Sequence, residues 1–242
     1  MILGLLQTFN GQVYIKKCLT SLSIACDEIY VLDDGSTDDT PKILADRKAW
    51  PKIKFVTTMP PQKEEWTSGD DFTRNMMLRM ADRRKPTYCL SLDDDEELED
   101  PLAVRNTILT TKPSVMIFGL IHLWDREDRA RARYIANGRP LDRLRAWRWK
   151  RGDVVQDRYL HGGPGPKRPP EDHVLRLDLR IIHWGLFKKE DREYKLRMYE
   201  RVDPEGRHNP GGYRSIVQPV LIEPFRRVCP PAVYNPEENS HE

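Results

Sequence analysis

The segment Cys89–Leu98, CLSLDDDEEL, decides how this chain reads. Tyr88 to Leu92 is a short apolar run broken only by Ser91, as a buried strand would be. It opens into five consecutive acids, Asp93, Asp94, Asp95, Glu96 and Glu97. In an open α/β sheet, ligands bind beyond the carboxyl ends of the strands. Carboxylates crowded there repel one another unless a cation or hydrogen-bond donors compensate. A hard divalent ion, Mg²⁺ or Mn²⁺, suits such a place, because it prefers carboxylate oxygen and bridges to phosphate. The plain alternative is a solvated acidic turn at a helix start, where acids complement the helix dipole.

Upstream, the chain alternates. Ile2–Leu6 and Glu28–Leu32 read as strands, with an amphipathic helix over Val13–Ser23 between them. The second strand runs into Asp33-Asp34-Gly35-Ser36-Thr37-Asp38-Asp39-Thr40-Pro41. Gly35 permits a tight turn there, and Ser36, Thr37 or Asp38 can cap the helix expected over Lys42–Arg47. Lys52–Thr57 is a third strand candidate, and Phe72-Thr73-Arg74-Asn75 precedes a helix expected to run to about Arg83. Strand–helix–strand–helix–strand is the pattern of a parallel α/β sheet with right-handed crossovers.

Several of these pieces together resemble the inverting glycosyltransferases of family 2, which share the GT-A fold. Asn10 follows the first strand, and Asp33-Asp34-Gly35-Ser36 follows the second. Phe72-Thr73-Arg74-Asn75 resembles the family's R-N-x-x-L segment, and Leu92–Leu98 its L-D-A-D-E-E-L form of the DxD motif. The resemblance covers residues 2–123 best. It implies a Rossmann-like, mostly parallel sheet flanked by helices, with a variable acceptor-side region toward the C-terminus. It implies a nucleotide-diphosphate sugar as donor, a UDP-sugar first, and a divalent metal (Mn²⁺ or Mg²⁺) as cofactor. By the same resemblance Asp95 is the direct metal ligand, with Asp93 and Asp94 beside it on the donor side. Asp33 or Asp34 would accept from the nucleotide base. Arg74 would face the base or diphosphate, and Thr8 and Asn10 would line the cleft. Where the family often carries Glu after this Asn, Gly11-Gln12 stands here.

Ser114–His122 and Leu175–His183 are strand candidates in the second half. Leu144–Trp149 resembles the R-L-F-R segment of family members that build lipopolysaccharide or related sugar chains, and His161 would follow it at a strand start. Ile181–Gly185 resembles the family's I-x-H-x-G form, which implies His183 as a further metal or diphosphate contact, with the metal taken first. A charged helix over Lys188–Glu200 would bring Arg192 or Lys195 over the diphosphate. Residues 162–170 hold three Gly and four Pro and read as a loop. An inverting transfer needs a base on the acceptor hydroxyl. Glu171 and Asp172 are the first candidates by resemblance, and Asp125 is the other. The layout expected is a nucleotide-sugar half (1–123), an acceptor side (124–218) and a Pro-rich tail (219–242).

Composition bounds the alternatives. The 242 residues carry a net charge of +2, but Arg126–Arg151 alone carries ten basic and three acidic residues. That window is +7 and the rest is 2 − 7 = −5, which suggests an anionic partner at that face. A second reading is therefore a nucleic-acid-binding protein, with Tyr134, Trp147 and Trp149 stacking on bases. The acceptor could also be a modified nucleic-acid base, rather than a saccharide or lipid-linked glycan. A nucleotidyltransferase is disfavoured, since Gln7–Gln12 is not a Gly-rich phosphate loop, and no dinucleotide or P-loop fingerprint occurs. No apolar run approaches the roughly 18 to 20 residues of a membrane span. Four cysteines without C-x-x-C spacing, and a start without a basic leader, are read as cytoplasmic.

Overall fold

A computed structural model of the chain describes residues 1–60, 70–131, 135–136, 139–155, 163–167, 173–209, 212–228 and 232. Its first half builds four strands, β1 (Ile2–Thr8), β2 (Glu28–Asp33), β3 (Ile53–Thr58) and β4 (Tyr88–Asp93). Between them lie α1 (Ile15–Ala25), α2 (Thr40–Ala45) and α3 (Asp70–Arg84). The strands pair in parallel in the order β3-β2-β1-β4. Leu3, Leu5, Leu6, Val31, Leu90 and Leu92 are fully or almost fully buried, because helices cover both faces of the central strands. Each such burial is worth about 1.5–3 kcal/mol, enough to fix which way the strands point. Register then sets the site: Thr8 lies opposite Asp33 and Gln7 opposite Asp93, so β1, β2 and β4 end at one level.

After β4 come β5 (Glu96–Leu98), α4 (Pro101–Thr111), β6 (Val115–Trp124), β7 (Arg126–Arg131), β8 (Ile135–Ala136), β9 (Arg139–Arg148), β10 (Val174–His183), α5 (Lys189–Val202) and β11 (Ile222–Pro224). The expected helices and strands of the first half appear with bounds shifted by a few residues. The second half departs from parallel pairing. Strand β9 wedges between β4 and β6, antiparallel to both, with Trp147 opposite Cys89 and Val115. Strand β10 runs parallel to β6 and pairs antiparallel with β5. The two halves of the chain therefore share one sheet, in the α/β arrangement expected of a GT-A fold.

The basic window is not a single charged face. Most of it is β7 and β9, and strand alternation turns some of its side chains inward. Arg131 and Arg145 are buried, and Trp147 is fully buried in the core. Trp149 donates its indole N–H to Asp82 at 3.1 Å. Tyr134 lies outside the described residues. The expectation that Trp147 and Trp149 stack on bases is thus corrected: burial and the Asp82 hydrogen bond take them up. The start of the expected tail also folds back. Strand β11 pairs with β7, and Arg227 forms a two-pronged ion pair with buried Glu97 at 3.0–3.1 Å.

Candidate active site

The acidic turn emerges from β4 into a cavity of about 820 Å³. Each of its first three carboxylates meets a different environment. Asp93 accepts from Arg74 at 3.2 Å and from Arg145 at 2.8 Å. Asp94 Oδ2 accepts from the Thr8 hydroxyl at 2.6 Å and the Phe9 amide at 3.2 Å. Asp95 Oδ2 accepts from Lys195 Nζ at 2.7 Å and lies 3.5 Å from His183 Nε2. Buried Glu96 closes the turn, accepting from the Asp93 amide at 3.0 Å and from Arg145.

The charge states follow from these partners. Arg145 and Arg74 overcome burial and hold the Asp93 carboxyl well below the usual range. Burial, then the neighbouring Asp95 charge, pushes Asp94 up to about 7. Burial alone would raise Asp95, but Lys195 and His183 bring it down. Burial lowers His183 to about 4, so its imidazole is neutral at pH 7. The Lys195 ammonium is held charged by Asp95 despite its burial.

The surrounding elements fix this arrangement. The Trp184 amide donates to the Asp95 carbonyl at 2.8 Å, tying the end of β10 to the acidic turn. Trp184 Nε1 donates to Glu97 at 2.9 Å. Helix α5 is set by Arg192, which donates to the Leu186 and Phe187 carbonyls at 2.9 Å and to Asp125 at 2.7 Å. Lys195 follows three residues later on the same helical face and so reaches Asp95. Tyr14, before α1, donates its hydroxyl to Asp191 at 2.6 Å and pins the start of α5. Tyr194, Tyr199 and Tyr213 line the other side of the cavity, the latter two stacked at 4.7 Å.

The sequence-derived site residues fall into three groups. Thr8, Arg74, Asp93, Asp94, Asp95 and His183 line the cavity together. Asn10, Asp33 and Asp34 lie next to it and shape its loops. Asn10 Oδ1 accepts from the Thr37 amide at 2.8 Å, and the Asn10 amide donates to Ser36 Oγ at 2.8 Å. Asp33 Oδ1 accepts from the Ser36 amide at 3.0 Å, while Asp33 Oδ2 is buried without a hydrogen-bond partner among the described residues. The third group is Asp125, Glu171 and Asp172. Asp125 is half exposed, paired with Arg192 and not part of the cavity lining. Glu171 and Asp172 lie outside the described residues, as does His161. Of Arg192 and Lys195, either of which was expected over the diphosphate, Lys195 lines the cavity, while Arg192 donates to backbone carbonyls and Asp125.

Two residues at the centre of the site carried no sequence assignment. Arg145 bridges Asp93 and Glu96 from β9. His122 lies opposite His183 in the β6–β10 register, with the two Nδ1 atoms 3.0 Å apart. Each of these histidines follows a short apolar run, in GLIH and RIIH, and that shared pattern was the available signal.

The implied metal can be tested against these donors. Among the described residues, no three His, Cys, Asp or Glu side chains converge as a ligand cluster. Asp95 and neutral His183 do converge, one oxygen and one nitrogen donor. Such a pair would offer a divalent ion two ligands, and Mn²⁺ or Mg²⁺ would need further oxygen donors from outside the protein. The same Asp95 oxygen is held by Lys195.

The acidic turn, with arginine and lysine beside it, lies at the carboxyl ends of parallel strands, where an open α/β sheet binds ligands. The family comparison is more particular. Residues 5–103, from β1 into α4, match the profile described as Glycosyl transferase family 2. Uncharacterized proteins of Mycobacterium tuberculosis and Mycobacterium bovis are each 26% identical over 216 residues, covering 87% of this chain and 52% of theirs. The chain thus spans about half the length of these relatives. Among solved structures, S. aureus TarS 1-349 in complex with UDP-GlcNAc has 15% identity and a TM-score of 0.49. That match covers 89% of this chain and 70% of the other. The same protein in complex with UDP has 16% identity and the same TM-score, over 89% and 69%.

Proposed function

We propose that the chain transfers a sugar from a nucleotide-diphosphate donor to a hydroxyl acceptor, with the nucleotide bound where β1, β2 and β4 end. The observation that carries this reading is Asp93 and Asp95 at one cavity wall, compensated by Arg74, Arg145 and Lys195. Interleaved charges of both signs suit a ligand that carries a diphosphate and, with it, a cation. The buried Asp33 Oδ2 is an acceptor suited to a nucleobase N–H.

Asp95 and His183 would hold the divalent ion, which when bound offsets charge on the departing diphosphate. Lys195 and the arginines bind and orient the phosphates. The acceptor enters from the side lined by Tyr194, Tyr199 and Tyr213. Its oxygen attacks the anomeric carbon as the bond to the diphosphate oxygen breaks, which inverts the carbon. The acceptor proton passes to a carboxylate, for which Glu171 and Asp172 stand as the bases on sequence resemblance alone. A UDP-sugar remains the first donor on the same ground. No helix among the described residues is long and apolar enough to cross a membrane. The free, buried Cys18, Cys26 and Cys89 support a reducing, cytoplasmic setting.

The test is calorimetric titration of nucleoside diphosphates into the protein and into Asp95→Asn, with and without Mn²⁺. Diphosphate binding that Mn²⁺ tightens in the wild type, and does not tighten in Asp95→Asn, is expected. Equal binding by the variant, or none by either protein, would remove the reading.

A further inference from the structure

We propose that Lys195 is a positioning residue that makes cation binding at Asp95 depend on the donor. Its ammonium occupies the Asp95 carboxylate until a nucleoside diphosphate draws it away. This rests on the nucleotide-sugar reading above and adds an order to it.

The geometry points there in three ways. Asp95 Oδ2 accepts from Lys195 at 2.7 Å and is the same oxygen that faces His183 Nε2. An ammonium and a divalent ion cannot both sit against one carboxylate oxygen without strong repulsion. The lysine is therefore a built-in competitor for the cation. Next, the fold makes room for this pair: a Cβ at Gly185 would collide with both Asp95 Oδ2 and Lys195 Nζ. Finally, Lys195 lines the cavity on a long, flexible stem, while Arg74 and Arg145 both hold Asp93. An ammonium is a point charge that binds phosphate without a fixed fork geometry, so it can exchange a carboxylate for a phosphate by rotating its stem. When it does, Asp95 and His183 are released for the divalent ion.

Linkage makes the effect reciprocal: diphosphate raises the affinity for the ion by the same factor as the ion raises it for diphosphate. The ion alone then binds poorly, and the donor-free protein is spared non-productive metal.

The experiment is calorimetric titration of Mn²⁺ into the wild type, Lys195→Met and Lys195→Arg, each alone and saturated with the tightest-binding nucleoside diphosphate of a UDP, GDP, CDP and ADP panel. In the wild type, diphosphate should tighten Mn²⁺ binding at least tenfold. Lys195→Met should bind Mn²⁺ alone at least tenfold more tightly than the wild type, and the enhancement by diphosphate should shrink by a similar factor. Lys195→Arg keeps a cation on Asp95 and should stay weak toward Mn²⁺ alone. Circular dichroism checks the fold, and Lys195→Gln replaces the Met variant if that does not fold. If diphosphate binds but the neutral variant takes up Mn²⁺ no better than the wild type, the Lys195 proposal falls and the donor reading stands. If no diphosphate binds the wild type, with or without Mn²⁺, the donor reading falls and takes this proposal with it.

Discussion

Arg145, buried on β9, reaches Asp93 at the end of β4 with its Nη2 2.8 Å from the carboxylate, and the same nitrogen contacts buried Glu96. A residue from the second half of the chain thus neutralises the turn that the first half delivers. Replacing Arg145 with Met should leave two carboxylates crowded without their shared cation. Breaking a buried ion pair on one side costs about 3–5 kcal/mol. Urea denaturation at pH 7 should show a loss of that order. A loss under about 1 kcal/mol, as for an exposed pair, would contradict this role.

Asp94 supplies a pH test. Its carboxyl is pushed up to about 7 in the folded protein, by burial first and then by Asp95. An unfolded Asp titrates near about 3.9, so between those values the folded state holds the extra proton. Stability from this group is therefore present at low pH and falls as pH rises from about 4 to about 7. Asp94→Asn keeps an acceptor for Thr8 and Phe9 but does not titrate. Its denaturation midpoint should gain on the wild type between pH 5 and pH 8. Parallel midpoints across that range would show that Asp94 carries no such shift.

Glu97 tests the contact between the C-terminal segment and the back of the site. It accepts from Arg227 at 3.0–3.1 Å and from Trp184 at 2.9 Å, all in buried or nearly buried positions. Arg227→Ala strands the carboxylate and should cost about 3 kcal/mol. Adding Glu97→Gln should recover part of that loss, since the pair is directly coupled. Strict additivity of the two changes would mean that the ion pair contributes nothing.

Gly11 packs directly against the acidic turn. A Cβ there would run into the Asp94 carboxylate and the Thr8 hydroxyl, which are bonded to each other. Gly11→Ala should therefore separate Thr8 from Asp94. Overpacking of this kind costs about 1–3 kcal/mol. Thermal melting should show that loss, together with weaker nucleoside diphosphate binding. Wild-type stability and affinity would mean that the loop adjusts without consequence.

Much of the donor side was legible in the sequence because its signals are local. Short apolar runs mark β1, β2 and β4, and the acids and Gly35 after them mark the loops. The register of those strands brings Thr8, Asp33 and Asp93 to one level. What was illegible depends on long-range pairing. Nothing near Arg145 shows that β9 inserts between β4 and β6, so its arginines read as a surface patch. The β6–β9 register also slips at Arg145, which lies between the paired Leu144 and Ala146, and no local signal marks that irregularity. Lys195 was named for the diphosphate, but its hold on Asp95 depends on how α5 docks through Arg192 and Tyr14. His122 and His183 meet only because β6 and β10 pair in register.

The most direct measurement is donor turnover without acceptor. The protein and Asp95→Asn would be incubated with a panel of nucleotide sugars in Mn²⁺, Mg²⁺ or EDTA, and free nucleoside diphosphate would be quantified. The account predicts slow release from one donor by the wild type with metal, and at least 100-fold less from Asp95→Asn or in EDTA, a loss of about 2.7 kcal/mol in transition-state stabilisation. Equal release by wild type and variant, or none from any donor together with no nucleotide binding, would contradict it.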